Sequence, residues 1–390
     1  MDEALKRSGE NRPQLEQALK ETPGQEMELL IRGARQYDLV NITAEHLKDD
    51  IAYARKAREE MPWGREIPDE LWRNWVLPYR IADEDLDDWR PEFYEMLAPL
   101  VKEAKSSKEA VLLIHKWLWQ DVPGGRVRFE VSENRDQTPR QLLQQIKIGR
   151  CFEINLLFTA LLRSAGIPVR HTGPPWWTMW GSYHYWVEYW DTESKTWCSI
   201  EGANADPDGF MAVNQTLPRS GNTAFAAAYA LAAYGNEADP IGREAWGGAV
   251  PADCAYQATG KLQLAFMNAG SGKAANYAVY VWSNSAWRPV ALGSTDKMHE
   301  VNLAPTAGRY PYLVTASLGK ATACALAEVK PGQDTSVTLM DSPAGPDLTV
   351  EFVSKKMLEE QQKKDAETKK QKEKDDKKKK KNPVTGAAAG

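Results

Sequence analysis

Apolar residues recur at helical spacing along residues 1–95 of the chain. Between Glu26 and Tyr37 they fall three and four positions apart, which is the pattern of one face of an α-helix. A longer helix is predicted from Ala44 toward Glu59, with Thr43 as its N-cap because a threonine hydroxyl accepts a hydrogen bond from a free backbone N–H. The pattern therefore predicts a helical N-terminal region over residues 1–95.

Residues 96–240 mix helical and strand patterns. The most apolar helix is predicted from Cys151 to Ala165, and Gly166 is suited to end it because glycine readily adopts the left-handed conformation found after helix ends. The other elements predicted in this region are a helix at Lys108–Gln120, strands at Tyr183–Trp190 and Thr196–Ile200, and an Ala-rich helix at Thr223–Tyr234. The mixture indicates a core of the α+β class.

Residues 250–345 contain short strand-like segments separated by Gly, Asn, Ser and Pro. Such spacing is typical of a small antiparallel β-sandwich, of the Ig-like or prealbumin-like kind. Residues 354–390 open with a run of Lys, Glu, Asp and Gln that has too few apolar residues to bury a core. We therefore expect a disordered or frayed helical tail, which serves as a solubilising extension or as a contact for an acidic surface.

The composition sets limits on this picture. With 390 residues, of which 42% are hydrophobic, the chain is long enough for two or three globular domains. Its formal net charge of −5 does not favour nucleic acid as a partner. No apolar run reaches the roughly 18 residues of a membrane-spanning helix, and the opening MDEALKRSGE lacks the apolar segment of a signal peptide. We expect a soluble protein, periplasmic or extracellular if an export signal has been removed.

The chain has four cysteines, too few and too scattered for a disulfide scaffold, and none has the spacing of a zinc site. Cys151 stands out because it opens the most apolar helix, where free N–H groups and a partial positive charge lower the pKa of a thiol. A catalytic thiol also needs a base. His184 is the best candidate, since alternation along its strand places it on one face with Trp186 and Glu188. Either residue alone would more often be structural.

Two motifs together carry a family resemblance. The segment GRCFEINLLFTALLRSAGIPVR, followed by HYWVEYWD and WCSIE, resembles the transglutaminase-like superfamily of papain-type cysteine enzymes. In that family a Gly-x-Cys opens a helix that ends in Arg-x-x-Gly-Ile-Pro-x-Arg, and a His-x-Trp-x-Glu lies on a later strand. The matching positions are Gly149, Cys151, Arg163, Gly166, Ile167, Pro168 and Arg170 for the first motif, and His184, Trp186 and Glu188 for the second. The resemblance covers residues 138–202 and implies a Cys151–His184 catalytic pair in a transglutaminase-like core.

The third catalytic residue departs from the family pattern. The family places an Asp four residues after a Trp in the next strand, and the residue four positions after Trp197 is Glu201. A glutamate can orient the imidazole with a longer arm, so the resemblance implies Glu201 in this role. The other candidates are Asp191, Asn204 and Asp206.

An oxyanion hole is expected at the start of the same helix, where the backbone N–H of Cys151 is one donor. Gln145 and Trp119 are the two candidates for a side-chain donor. An aromatic cluster around the second motif predicts a substrate cleft suited to sugar rings or peptide side chains, and its alternative role is packing against Pro174-Pro175. The predicted cleft residues are Trp176, Trp177, Trp180 and Trp186.

The resemblance implies acyl transfer from an amide or peptide bond through a thioester on Cys151. We favour a hydrolase, meaning a thiol protease or amidase, over a cross-linking transglutaminase, because similar bacterial proteins with appended β-sandwich domains resemble hydrolases of peptides or wall-associated material. The first alternative is an inactive module that binds peptide or glycan, for which Glu201 is the only hint. The second is an amidase that releases glycans from glycosylated asparagine. The expected partner is a peptide or protein substrate, including glycosylated or cell-wall-associated ones, and no metal or organic cofactor is implied.

Overall fold

The computed structural model describes residues 1–130, 137–173 and 184–207 with their side chains. Later in the chain it describes strands and their flanks, at residues 229–231, 249–251, 261–267, 275–283, 286–295, 301–303, 311–318, 321–329 and 333–340. The chain divides into the units Met1–Gly345 and Pro346–Gly390. The second unit, with the predicted tail at residues 354–390, lies outside the described residues.

The helices of the described residues occupy the N-terminal half of the chain. They are α1 (Asp2–Arg7), α2 (Arg12–Glu21), α3 (Gln25–Gly33), α4 (Gln36–Asn41), α5 (Ala44–Glu60), α6 (Asp69–Trp75), α7 (Arg90–Val101), α8 (Ser107–Gln120), α9 (Pro139–Gln141) and α10 (Cys151–Ser164). Short 3₁₀ turns lie at Gly9–Asn11 and Gly64–Glu66, and a π-helical turn lies at Leu142–Ile146. Within the described part of the chain, no helix is both long enough and apolar enough to cross a membrane.

The strands begin just before the catalytic candidates. They are β1 (Arg128–Phe129), β2 (Ile148–Gly149), β3 (Val169–Gly173), β4 (Trp186–Asp191), β5 (Thr196–Ile200), β6 (Tyr229–Leu231), β7 (Ala249–Pro251), β8 (Lys261–Met267), β9 (Ala275–Ser283), β10 (Ala286–Thr295), β11 (Val301–Leu303), β12 (Tyr312–Leu318), β13 (Ala321–Ala327) and β14 (Asp334–Met340). The described residues thus have mixed helix and strand, in agreement with the predicted α+β class.

The predicted helix starts are present where their capping residues stand. Thr43 caps α5, and its hydroxyl accepts a hydrogen bond from the backbone N–H of His46 at 3.1 Å. Thr138 caps α9, and its hydroxyl accepts from the backbone N–H of Gln141 at 3.3 Å. The helical character predicted for residues 1–95 is therefore observed, whereas the domain boundaries remain predictions.

Helix α10 lies at the centre of the N-terminal core. Every residue from Glu153 to Ser164 is buried, because neighbouring helices and the strands β3 and β4 surround it. Gly166 ends the helix with a φ of +72°, and a Cβ there would lie 3.1 Å from the Cβ of Ala57. The predicted glycine stop is therefore required both by the turn and by the close approach of α5.

A five-stranded sheet packs against α10, with strand order β5-β4-β3-β6-β7 and antiparallel pairing throughout. The predicted hairpin is present as β4 and β5, with Val187 opposite Ile200. The Ala-rich helix predicted over Thr223–Tyr234 is wrong at residues 229–231, which form β6 and pair with β3. Pairing with β3 overrides the helix propensity of alanine, which is worth less than 1 kcal/mol or so per residue.

Two sheets form the described part of the C-terminal region. One is antiparallel, with order β10-β9-β12-β13, and the other has order β11-β8-β14. Strand β14 pairs with β8 in parallel, so the prediction of a purely antiparallel region is wrong there. Turn spacing gives the lengths of strands but not the direction in which distant strands pair. Buried residues from both sheets share one apolar cluster, while the β-sandwich itself remains a prediction.

Buried guanidinium groups fix the C-terminal end of α10. Arg163 is 1% exposed and donates hydrogen bonds to the carbonyl oxygens of Pro78, Arg80 and Val169. Arg90 is fully buried, donates to the carbonyl of Arg163 at 3.3 Å, and pairs with a carboxylate, since its Nε lies 2.7 Å from an oxygen of Asp50. Such charges are stable in a core because each is paired or hydrogen-bonded.

Candidate active site

Cys151 is the first residue of α10 and is half-buried. Strand β2 leads into it, and a Cβ at Gly149 would lie 3.2 Å from side-chain carbons of Glu153 and Ile154, which leaves little room for a larger residue. The carboxylate of Glu153 accepts from the backbone N–H of Arg150 at 2.9 Å and pairs with its guanidinium, so the first turn is held in place. The nucleophile candidate is thus fixed at a helix start, as predicted.

His184 lies two residues before β4 rather than within the strand as predicted. Its imidazole stacks on the indole of Trp186, with ring centroids 6.3 Å apart and planes 27° apart. Trp186 is fully buried, which corrects the prediction that it lines the substrate cleft. The indole instead packs beneath the imidazole of His184. His184 itself keeps 24% of its side chain exposed.

Glu201 lies directly after β5 and is 2% exposed. One carboxylate oxygen, Oε2, lies 2.5 Å from Nε2 of His184, and the other accepts from the backbone N–H of Ala203 at 2.9 Å. The other candidate acids are placed differently: Asp191 accepts from Ser194 Oγ at 2.7 Å, and Asp206 is exposed. Among the candidates for the third position, the structure therefore brings Glu201 to the imidazole.

Cys151, His184 and Glu201 form a hydrogen-bonded series. Burial lowers the pKa of His184, but hydrogen bonds with Cys151 and with Glu201, reinforced by their negative charges, outweigh burial and raise the pKa to about 9. Because Nε2 faces Glu201, Nδ1 is the ring nitrogen left to donate to the sulfur of Cys151. A protonated imidazole between a carboxylate and a sulfur is the electrostatic arrangement of a cysteine–histidine ion pair.

The loop that carries Glu201 is fastened by α8. Nε2 of His115 lies 3.1 Å from the carbonyl oxygen of Glu201 and 2.9 Å from that of Asn204. Both carbonyls accept only, so Nε2 carries the proton, and burial lowers the pKa of His115, which keeps the ring neutral. The indole N–H of Trp119 donates to the carbonyl of Gly202 at 3.1 Å. Trp119 therefore supports this loop. An oxyanion donor needs a free N–H, whereas the indole N–H of Trp119 donates to Gly202.

Gln145, the other candidate for an oxyanion donor, lies on the π-helical turn before β2 and is exposed. Its side chain makes no hydrogen bond within the described residues. The predicted cleft residues Trp176, Trp177 and Trp180 lie outside the described residues, so their role stays a prediction.

Glu188 and Arg170, both from the matched motifs, form a buried ion pair with 2.5 Å between Oε2 and Nη2. The Arg170 guanidinium also stacks on Trp197, 3.8 Å from the ring centroid. Arg170 of β3 and Glu188 of β4 are directly opposite each other in the antiparallel pairing of the two strands. The two residues join the strands that carry the site and do not take part in the hydrogen-bonded series.

Sequence reasoning missed two residues that contact the site's backbone. One is His115, whose helical pattern gave no signal beyond an apolar face. The other is Asn155, which lies one turn after Cys151 and is fully buried. Its signal was available, because an amide inside the apolar run FEINLLFTALL is rarely buried without a hydrogen-bonding task. Among the described residues, no cluster of three or more His, Cys, Asp or Glu side chains has the arrangement of a metal site.

Residues 95–202 match the family model described as Transglutaminase-like superfamily. The match spans Cys151, His184 and Glu201, and it confirms the predicted resemblance for this segment. It supports a cysteine-based acyl-transfer or protease activity.

Comparison with solved structures and with curated proteins adds little. The crystal structure of red sea bream transglutaminase aligns over 75% of this chain and 67% of that chain, with 12% identity and a TM-score of 0.31. At that TM-score the superposition supports no argument about function. No curated protein matches the chain.

Proposed function

We propose that this protein is a cysteine-dependent hydrolase that cleaves an amide or peptide bond through a thioester on Cys151. The observation that carries the proposal is the hydrogen-bonded series from Cys151 to His184 to Glu201. Cys151 is only half-buried, whereas Glu201 is 2% exposed, a burial difference that suits a nucleophile and the acid that orients its base.

In the first half of the reaction, the sulfur of Cys151 attacks the carbonyl carbon and the C=O electron pair moves to oxygen. The backbone N–H of Cys151 stabilises this oxyanion, because the first N–H groups of a helix have no partner within the helix. The oxyanion then collapses, the C–N bond breaks, and the amine leaves with the proton that His184 held. The product is a thioester and a neutral imidazole.

In the second half, water attacks the thioester carbon while His184 takes one of its protons. The C–S bond breaks, the sulfur of Cys151 leaves as thiolate, and a carboxylic acid is released. Glu201 holds the imidazole in one orientation and stabilises its positive charge whenever the ring is protonated. The cycle returns the imidazolium that starts the first half.

The proposal takes water as the acyl acceptor in preference to an amine. This preference follows from the likeness to bacterial proteins that join such a core to β-sandwich domains, which is an analogy of fold. An amine acceptor would use the same residues and would give a cross-linked product. A glycosylated asparagine as substrate would also use them.

A mass-spectrometric screen distinguishes these outcomes. Wild-type protein and Cys151→Ala are incubated with a peptide library, with the library plus a primary amine, and with glycopeptides. Hydrolysis adds the mass of water across a broken bond, transfer adds the amine with loss of ammonia, and deglycosylation converts asparagine to aspartate. We expect water addition that Cys151→Ala abolishes and that Cys324→Ala, a half-buried free thiol in β13, retains.

Alkylation tests the thiol itself. With iodoacetamide at pH 6, Cys151 should react faster than Cys198 and Cys324, because an ordinary thiol with a pKa near 8.5 is almost fully protonated there. Equal rates at the three cysteines, together with no product in the screen, would contradict the proposal and favour an inactive binding module. The rate advantage should also disappear in His184→Ala.

A further inference from the structure

Asn155 connects the backbones of all three site segments. Its side-chain N–H groups donate to the carbonyl of Cys151 at 2.8 Å and to the carbonyl of Tyr185 at 2.7 Å. Its side-chain oxygen accepts from the backbone N–H of Gly202 at 3.0 Å. Tyr185 follows His184 in the chain, and Gly202 follows Glu201.

A single amide therefore touches the nucleophile's own residue and the immediate neighbours of the base and the acid. Both donors of the amide and its acceptor oxygen are used, and the side chain is fully buried. No carboxylate or hydroxyl has this combination of two donors and one acceptor.

The two loops that the amide holds lie where the sheet does not hold them. His184 and Tyr185 precede β4, whose register with β5 runs from Asp191 to Val187. The carbonyl of Tyr185, one residue before the strand, accepts from the side-chain amide of Asn155. Glu201 and Gly202 follow the last residue of β5. Contacts outside the ladder therefore position these loops: His115 and Trp119 of α8 contact the Glu201 loop, and Asn155 contacts both loops.

We infer that Asn155 is the positioning residue of this site, whose amide sets the distances among the Cys151 sulfur, the His184 imidazole and the Glu201 carboxylate by holding the backbone beside each. The inference rests on the proposed function. Asn155 touches none of the reacting atoms, so it acts through the residues it holds. Reacting groups must be kept within about 0.5 Å of their productive geometry, and a 1 Å displacement can cost about 100-fold in rate.

Gly202 gives independent support. A Cβ at this position would lie 2.4 Å from the side-chain oxygen of Asn155 and 2.7 Å from a ring carbon of Phe158. Only glycine lets the loop approach the amide closely enough for its N–H to donate. The absence of a side chain at Gly202 and the amide at Asn155 therefore serve the same contact.

The test separates positioning from general support of the fold. Asn155→Ala removes the amide, and Asn155→Asp keeps its size and its acceptor but replaces both donors with an oxygen that faces two carbonyls. Thr159→Val is the matched control, because its buried hydroxyl donates to the backbone carbonyl of Asn155 on the same helix and, within the described residues, makes no hydrogen bond to the His184 or the Glu201 loop. Folded protein is verified by circular dichroism before each measurement.

The readouts are the iodoacetamide rate at Cys151 as a function of pH and the pKa of His184 by NMR. In both Asn155 variants we expect the rate at pH 6 to fall about 100-fold, toward that of an ordinary thiol, and the pKa of His184 to move down toward 6.5. Thr159→Val should keep both values even if its melting temperature falls. A purely structural role would lower the melting temperature of all three variants and leave rate and pKa in place.

Two failures are distinguishable. If wild-type Cys151 reacts no faster than Cys324 and the substrate screen gives no product, the proposed function is wrong. If wild-type Cys151 reacts fast and the folded Asn155 variants stay within about threefold of it, the positioning role is wrong. Should neither Asn155 variant fold, Gly202→Ala disrupts the contact between the Gly202 N–H and the Asn155 oxygen by adding a methyl group on the loop. For the inference to stand, this variant must show the same loss of the Cys151 alkylation rate.

Discussion

The two ends of helix α10 are held in different ways. At the C-terminal end, the guanidinium groups of Arg163 and Arg90 donate to backbone carbonyls inside the core. At the N-terminal end, a neutral amide and a histidine whose pKa lies near 9 hold a half-buried thiol. The C-terminal end is therefore held by buried hydrogen bonds, whereas the N-terminal end depends on an imidazole that can gain and lose a proton.

This difference suggests a division of labour along one helix. Removing a group from the C-terminal end should reduce stability and leave the chemistry of the folded fraction alone. Removing a group from the N-terminal end should reduce the activity of the folded protein and leave its stability nearly unchanged. Variants at each end can break this comparison if either effect appears at the wrong end.

The largest effect is expected for Cys151→Ala, which removes the nucleophile. Activity should fall by about 10⁴-fold or more, since a thioester can no longer form. The free energy of unfolding should change by about 1 kcal/mol or less, because the side chain is only half-buried and small. Enzyme assays and urea denaturation measure the two quantities, and a loss of several kcal/mol would mean that the N-terminal end also supports the fold.

Arg163→Met should have the largest effect on stability. It leaves the buried carbonyls of Pro78, Arg80 and Val169 without this donor, and each buried acceptor that loses its partner typically costs about 1–3 kcal/mol. The control is Arg12→Met, which removes a surface arginine whose ion pair with Glu16 is worth about 1 kcal/mol at most.

For the comparison to hold, kcat per folded molecule of Arg163→Met must stay near that of the wild type. Urea denaturation gives the stability, and titration of Cys151 with a thiol reagent gives the folded, competent fraction. A fall in kcat beyond that fraction would show that the C-terminal end also shapes the site.

Glu201→Gln tests the N-terminal end of α10 through the pH dependence of the reaction rate. Glu201 contributes a hydrogen bond and a negative charge that raise the pKa of His184, so the variant should lower that pKa from about 9 toward its ordinary value near 6.5. Cleavage that needs a protonated imidazole should therefore lose its rate at lower pH than in the wild type, with up to about 30-fold less activity at pH 8. A pH–rate profile measures the shift, and Glu201→Asp, which keeps the charge on a shorter arm, should lie between the two.

The same pair predicts how stability depends on pH. Because the pKa of His184 is raised in the folded protein, its stabilising contribution is complete below about pH 6.5 and is lost as the pH rises through about 9. The melting temperature of the wild type should fall across this window more than that of Glu201→Gln. Equal slopes for the two proteins would contradict the ion pair.

The sequence was informative where one local rule decides the structure. The start of α10 at Cys151, its stop at Gly166 and the cap at Thr43 follow from caps and periodicity. The family motifs pointed to His184 and to the position of Glu201, and the structure places these two side chains 2.5 Å apart. The pattern could not reveal contacts between distant segments. His115 reaches the Glu201 loop across 86 positions, and Asn155 reaches Gly202 across 47.

Alternation also misled in two instructive places. It grouped Trp186 with His184 on one face, which is correct, but a shared face does not tell whether the residue lies under the base or beside the substrate. Strand patterns likewise gave no direction for β14, whose parallel partner β8 is some 70 residues earlier in the chain. Both errors concern tertiary placement, which neither spacing nor propensity encodes.

The smallest predicted effect belongs to Trp119→Phe, and it separates two roles for this indole. As a support of the Glu201 loop, Trp119 contributes one hydrogen bond to the carbonyl of Gly202, so its loss should cost about 1 kcal/mol of stability and only a few-fold in kcat. An oxyanion donor would be different, because removing one typically costs about 10²–10³ in kcat. Trp117→Phe, a partly buried neighbour on α8, controls for the loss of an indole ring. A loss of kcat near 10³-fold in Trp119→Phe, without a similar loss in Trp117→Phe, would identify Trp119 as an oxyanion donor.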